Sequence, residues 1–181
     1  MINSVKTNLI VSDSRGAWFR ATILFTLALI GTVGMWSVVV FIPDIEKEFG
    51  LDRGTSSLLY AFTMIGFGFG TVVIGKVYDK FGIKKPILLA TFVLITSYYF
   101  YSIFPFYWQF LILQFFMGFA ASAFFGPAMA DISNFFNKQR GFALSIVASA
   151  NYVAGATWPL LIGYFLTFID WRAAHFWISI C

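Results

Sequence analysis

The sequence predicts an all-α integral membrane protein, and three observations carry that prediction. Hydrophobic residues make up 60% of the 181 residues, whereas charged residues make up only 11%. A soluble domain of this length could not bury so much apolar surface, because roughly a third of the surface of its chain must still face water. The apolar residues also come in runs of about twenty, the length that a helix needs to cross a ~30 Å hydrocarbon core.

Five complete spans and part of a sixth follow a polar tail. We expect the tail at residues 1–17 and one transmembrane bundle at residues 18–181. Pro43 and the acidic run after it are expected to end the first span. The last apolar run rises only ~16 Å, about half the hydrocarbon core, so we expect a truncated sixth helix and a fragment of a longer protein. The spans are expected at residues 18–42, 54–75, 86–104, 107–136 and 141–168, with a partial span at residues 171–181.

The basic residues predict the orientation of the bundle. Nine of the twelve lie in the tail and in alternate connections, while the other connections are richer in acids. Because cytoplasmic loops carry the excess of Lys and Arg, we expect a cytoplasmic N-terminus. The nine are Lys6, Arg15, Arg20, Lys76, Lys80, Lys84, Lys85, Lys138 and Arg140.

The composition argues against several other classes of function. The net charge of +4 reports orientation, so no nucleic-acid partner is expected. A single cysteine, Cys181, excludes an intrachain disulfide and a cysteine metal site, and we expect no cofactor or metal. The chain has no H-E-x-x-H or G-x-S-x-G motif, no paired acids within a span and one histidine, His175. An enzyme is therefore not expected.

The connection between the second and third spans carries the most specific motif. Residues 75–85 read GKVYDKFGIKK, in which Gly75, Asp79, Lys80 and Gly82 fit the pattern G-x-x-x-D-[RK]-x-G. This stretch resembles the signature hairpin of the major facilitator superfamily. We call residues 75–85 the signature hairpin.

Other stretches extend the resemblance from residue 18 onward. FIPDIEKEFGLDRG looks like the family's outer loop, NKQRGFALSI like the basic turn before the fifth helix, and FIDWRAAHFW like the start of the sixth. The resemblance implies the N-terminal six-helix half of a twelve-span fold, whose partner is the missing C-terminal half. It also implies a secondary active transporter in the lipid bilayer that moves a small solute by alternating access.

The hairpin also indicates a branch of the family. Ile83 stands where many branches have arginine, and Lys84 and Lys85 follow it. This order is most similar to bacterial monocarboxylate and oxalate:formate carriers. The resemblance implies a monocarboxylate or other organic anion as substrate, moved with a coupling proton, as in a symporter, or against a counter-substrate. It also implies the bacterial inner membrane.

The resemblance implies a role for the hairpin residues. Gly75 and Gly82 are expected to permit close approach at the helix ends. Asp79 is expected to accept hydrogen bonds from a helix N-terminus of the other half, as a latch that closes the cytoplasmic side. The alternative is that Asp79 pairs with a nearby lysine.

Asp131, near the end of the fourth span, has two interpretations. Acids within a membrane usually face a charged partner or a wet cavity. One interpretation is a proton-coupling site. The other, which we favour because lysine-rich loops are near, is an acid of the cytoplasmic interface that pairs with Arg140, Lys80 or Lys84 and couples conformations.

Neutral polar residues within the spans are candidates for a substrate cavity. The resemblance implies a cavity lined by the first, second, fourth and fifth spans. The alternative for each residue is a hydrogen bond to its own backbone or to a neighbouring helix. Gly66, Gly70, Gly118, Ser122 and Gly126 repeat every four residues, which predicts close helix packing. The cavity candidates are Thr32, Trp36, Tyr60, Thr63, Gln114 and Asn151.

The sequence is also compatible with a second class of function. The chain could be a small polytopic scaffold or channel-like protein that is complete at this length. Six further spans downstream of Cys181 would favour the transporter.

Overall fold

The structure, a computed structural model, describes residues 13–180 as seven helices joined by short turns. Five helical stretches are long and apolar enough to cross a membrane, and α1 and α2 together make the first of them. The short α7 follows the fifth of them. This confirms the predicted all-α membrane fold. The helices are α1 (Arg15–Gly31), α2 (Val33–Phe49), α3 (Arg53–Phe81), α4 (Lys84–Ile103), α5 (Tyr107–Ser133), α6 (Arg140–Leu166) and α7 (Trp171–Ile180).

The first span differs from its expected form in two ways. The expectation that Pro43 ends the helix is wrong, because α2 continues through Pro43 to Phe49. Contacts of Glu46 with α3 and of Glu48 with α7 hold this extension in place. The span is interrupted instead near its middle, at Thr32, whose backbone leaves the helical conformation (φ −89°, ψ 5°).

The signature hairpin is more helical than expected. The α3 helix continues past residue 75 to Phe81, so Asp79 and Lys80 lie on its last turn. Gly82 ends the helix with φ +71°, a conformation that glycine adopts without steric cost. Only residues 82 and 83 separate α3 from α4, which begins at Lys84.

The α3 and α5 helices pack at close backbone distance through small residues. A Cβ atom on Gly66 would overlap the Phe115 carbonyl oxygen, and one on Gly118 would overlap the Thr63 carbonyl oxygen. The stripe of small residues predicted from the sequence is confirmed here. Gly126 is the exception, since a Cβ atom there would meet nothing within 4 Å.

The helices of the bundle differ in how deeply they are buried. The α5 helix is the most buried of the spans, while α3 and α6 are the least. We call the end with the α3–α4 and α5–α6 turns the basic end, and the other end the acidic end. A large apolar cluster built around Phe41, Tyr98 and Phe110 fills the bundle, and a smaller one around Ala21 and Ile132 lies at the basic end.

Candidate functional site

The carboxylate of the signature hairpin is exposed at the basic end. Asp79 makes no hydrogen bond or ion pair with any of residues 13–180, so the alternative pairing with a lysine is not formed there. Lys80 and Lys85 instead face the ring of Phe81, with Nζ 5.2 Å and 3.9 Å from its centroid. A Cβ atom on Gly75 would meet nothing within 4 Å, so the close approach expected there is not made within this unit.

Asp131 forms a two-point ion pair with Arg20 of α1. Arg20 Nε lies 2.5 Å from Asp131 Oδ2, and Nη2 lies 2.8 Å from Oδ1. The expected partners were Arg140, Lys80 or Lys84, and that expectation is wrong because α1 packs beside α5 and brings Arg20 closer. Both carboxylate oxygens are engaged, which favours the pairing interpretation of Asp131 over proton transfer.

Asp13, which sequence reasoning missed, binds the turn before α6. Its carboxylate accepts hydrogen bonds from the backbone N–H groups of Asn137, Lys138 and Gln139 at 3.3, 3.1 and 3.1 Å. Burial raises the pKa of Asp13, but these three donors outweigh it and hold the pKa below its ordinary value. No sequence signal marks this contact, because nothing in the short polar tail indicates which distant turn it packs against.

Three of the six cavity candidates are buried inside the bundle. Thr32 donates to the Ala28 carbonyl oxygen at 2.7 Å. Thr63 Oγ1 lies 2.8 Å from Gln114 Oε1, and Gln114 Nε2 donates to the Tyr101 hydroxyl at 3.2 Å. These hydrogen bonds satisfy the polar groups inside the bundle. Thr32, Thr63 and Gln114 therefore fit the alternative interpretation, in which each bonds its own backbone or a neighbouring helix.

The other three candidates are half-buried, and two of them touch. Trp36 Nε1 of α2 donates to Asn151 Oδ1 of α6 at 3.2 Å. Gly155, one turn further along α6, lies against the same indole ring. Tyr60 packs against the large apolar cluster. The structure thus brings together Trp36 and Asn151.

The interruption of the first span lies close to this pair. Trp158 Nε1 donates at 2.7 Å to the Leu29 carbonyl oxygen, in the last turn of α1. Trp158 was not predicted, although it follows Asn151 and Gly155 at helical spacing on one face of α6. A break in the middle of a spanning helix, lined by polar groups of a neighbouring helix, is typical of solute sites in transporters.

Charged residues join three helices at the acidic end. Glu48 at the end of α2 pairs with Arg172 Nη2 at 2.6 Å and accepts from Trp171 Nε1 at 2.9 Å. Arg172 Nη1 also donates to the Phe104 carbonyl oxygen at 2.8 Å. These contacts tie α2, α4 and α7 together where the helices leave the apolar region.

His175 is buried beside this cluster. Its ring stacks on Tyr101 with 4.4 Å between centroids, and its Nδ1 bonds the Trp171 carbonyl oxygen at 2.8 Å. Its Nε2 has no hydrogen-bond partner among residues 13–180. In the same part of the chain, no three His, Cys, Asp or Glu side chains are grouped as ligands of a metal ion would be.

Comparison with known proteins identifies the family. Residues 24–181 match the family model of the Major Facilitator Superfamily, and the chain belongs to this superfamily. The relatives that the chain matches include proteins named as MFS transporters.

Three relatives illustrate the range of similarity. The MFS transporter asaE of Aspergillus flavus is 31% identical over 105 residues, which cover 58% of this chain and 23% of the relative. The agnestins efflux protein AgnL12 of Paecilomyces divaricatus is 27% identical over 129 residues, or 68% of this chain and 29% of the relative. The inner membrane transport protein YnfM of Escherichia coli is 24% identical over 160 residues, or 87% and 38%. The chain therefore spans between 23% and 38% of the length of these relatives.

Proposed function

We propose that residues 13–180 belong to one six-span unit of a longer secondary active transporter, which moves a small organic solute by alternating access. The observation that carries this proposal is the position of Asp79, an exposed carboxylate in the signature hairpin without a partner among residues 13–180. Asp131 and Glu48 are both ion-paired, whereas the exposed carboxylate of Asp79 has no partner in the described part of the chain. A carboxylate in this position is available to a group outside this unit.

The partner that suits Asp79 is a helix N-terminus of a second unit. The free N–H groups there are hydrogen-bond donors, and the helix dipole favours a negative charge. Such a bond closes the basic end when the two units come together and opens when they separate. Asp79 would then act on the balance between the two states of the carrier, without contact to the solute.

The hairpin sequence and the names of the relatives support a class of solute, a direction of transport and a location. The order of residues in the hairpin supports a monocarboxylate or another organic anion, moved with a proton or against a counter-substrate. Two relatives are named as efflux proteins, which supports export as the direction of transport. The Escherichia coli relative is named as an inner membrane transport protein, which supports that membrane as the location. A scaffold or channel-like protein gains no support from the relatives, which are named as transporters.

The test compares Asp79→Asn with Asn151→Ala in the complete carrier. Uptake of labelled lactate and oxalate into vesicles measures turnover, and equilibrium binding of the same solutes measures affinity. Loss of the charge–dipole interaction, about 0.3–1 kcal/mol and up to ~2 when partly buried, shifts the ratio of the two states by roughly two- to thirtyfold. We expect Asp79→Asn to slow uptake and leave binding little changed, whereas Asn151→Ala weakens binding.

The matched control is Asp44→Asn, the same change at the acidic end, where Asp44 has no hydrogen bond or ion pair with residues 13–180. It should leave uptake unchanged. If Asp79→Asn abolished binding while Asn151→Ala left both binding and uptake intact, the proposed roles of both residues would be wrong.

A further inference from the structure

The contact between Trp36 and Asn151 fixes which end of the Asn151 amide faces away from it. An indole N–H can only donate a hydrogen bond, so its partner must be the amide oxygen, 3.2 Å away. The Nδ2 group, with two N–H donors, is therefore turned away from Trp36. Among residues 13–180, no group accepts a hydrogen bond from it.

The indole ring is held in place by the same helix that carries Asn151. A Cβ atom on Gly155 would lie 3.0 Å from Cε2 and Cζ2 of Trp36, so the ring packs directly against the backbone of α6. Asn151 and Gly155 are one helical turn apart and face the same ring. This packing preserves the orientation of the amide.

The stretches of α2 and α6 that carry the pair contain no charged residue. From Gly141 to Leu166, α6 has no Asp, Glu, Lys or Arg, and the same is true of α2 from Val33 to Ile42. Asn151 and Trp36 are both half-buried, so each offers part of its surface to a molecule beside the bundle. The Nδ2 group of Asn151 is therefore an uncharged hydrogen-bond donor that has no acceptor among residues 13–180.

We propose, on the basis of the transport function proposed above, that Asn151 selects the solute by its hydrogen-bond polarity. The solute is an organic compound with a carboxylate or carbonyl oxygen, which accepts from Nδ2, beside a flat apolar body that packs on Trp36. Ammonium compounds are rejected, because their N–H donors would face the donors of Asn151 and leave both sets unpaired.

The experiment uses two probes that share a ring and differ in polarity. Binding of labelled benzoate and of labelled benzylammonium to the purified complete carrier is measured by equilibrium dialysis. Asn151→Asp keeps an oxygen for the Trp36 indole and replaces the two donors with a second acceptor. Gln109→Glu is the matched control, since Gln109 Oε1 already accepts from the Phe106 N–H at the start of α5 and a carboxylate can do the same.

We expect the unaltered carrier and the Gln109→Glu control to bind benzoate at least about tenfold more tightly than benzylammonium. Asn151→Asp should reverse that order. Equal binding of the two probes, binding of neither, or an unchanged preference in Asn151→Asp would overturn the proposal.

A separate reporter distinguishes this failure from failure of the transport function. A cysteine at Ala148, one turn before Asn151 on α6, reports access to the middle of the bundle without any solute. If its labelling from the two sides of the membrane responds in opposite directions to Asp79→Asn while the probes fail, only the solute class is wrong. If its labelling does not respond in this way, the transport cycle proposed above, in which Asp79 balances the two states, is wrong.

Discussion

Arg20 holds both carboxylate oxygens of Asp131, with Nε 2.5 Å from Oδ2 and Nη2 2.8 Å from Oδ1. The pair joins the first helix to the most buried one at the basic end of the bundle. The Asp131 side chain is 9% exposed and that of Arg20 is 34% exposed, so water screens one partner more than the other. Removing either partner leaves the charge of the other without a counter-charge.

This arrangement predicts the cost of breaking the pair. Asp131→Asn should lower the free energy of unfolding by about 1–3 kcal/mol, below the 3–5 kcal/mol of a fully buried pair because Arg20 keeps contact with water. The double variant with Arg20→Gln should recover part of that loss. Denaturant unfolding of the complete carrier, arranged as a double-mutant cycle, measures both effects. Additive losses would show that the two residues do not interact.

The packing of α3 on α5 predicts a contrast between two glycines of the same helix. A Cβ atom on Gly66 would overlap the Phe115 carbonyl oxygen, whereas one on Gly68 would meet nothing within 4 Å. Gly66→Ala should therefore destabilise the carrier by about 1–3 kcal/mol, the range for overpacked cores. Gly68→Ala should be neutral or stabilising by up to about 1 kcal/mol, since alanine favours the helix. The midpoint of thermal unfolding distinguishes them, and equal midpoints would contradict the packing.

The contact of Asp13 with the α5–α6 turn predicts a pH-dependent protection of that turn. The folded pKa lies below the ordinary value of 3.8, so the contribution of Asp13 to stability is complete above that value and is lost as pH falls through the folded pKa. At neutral pH, Asp13→Ala should speed hydrogen exchange at the amides of Asn137, Lys138 and Gln139. Asp44→Ala is the control, and unchanged exchange in Asp13→Ala would show that the carboxylate does not protect the turn.

Hydropathy places the starts of the long helices more closely than it places their contacts, for a physical reason. Long apolar runs report immersion in hydrocarbon directly, which is why α4, α5 and α6 begin close to their expected positions. Hydropathy does not report backbone breaks, so the interruption at Thr32 was missed and Pro43 was wrongly taken as a helix end. The partner of Asp131 lies 111 residues away, and only helix packing decides which of several cations reaches it.

The candidate cavity shows the same limit at the level of single residues. A polar side chain in an apolar span must find a partner, but the sequence does not say whether that partner is a solute or another helix. Gln114 and Thr63 bond each other inside the bundle, whereas Asn151 bonds Trp36 at its half-buried surface. The spacing of Asn151, Gly155 and Trp158 along one face of α6 was the signal that could have identified the second tryptophan.

The distribution of basic residues predicts the orientation of the bundle. Lys47 at the acidic end and Lys138 at the basic end are both exposed, so cysteine in place of either should not disturb the packing. On intact cells, a membrane-impermeant maleimide should label Lys47→Cys and not Lys138→Cys. Both should react once the cells are permeabilised. Labelling of Lys138→Cys alone on intact cells would invert the orientation.

Labelling of Ala148→Cys tests alternating access around the middle of the bundle most directly. The measurement compares labelling rates from each side of the membrane, in an otherwise cysteine-free complete carrier with and without the substitution Asp79→Asn. If Asp79 holds the basic end closed, its loss should raise the rate from the cytoplasmic side and lower the rate from the outside by a similar factor, within roughly two- to thirtyfold. Rates that stay unchanged, or that move in the same direction on both sides, would contradict a carrier whose two states this residue balances.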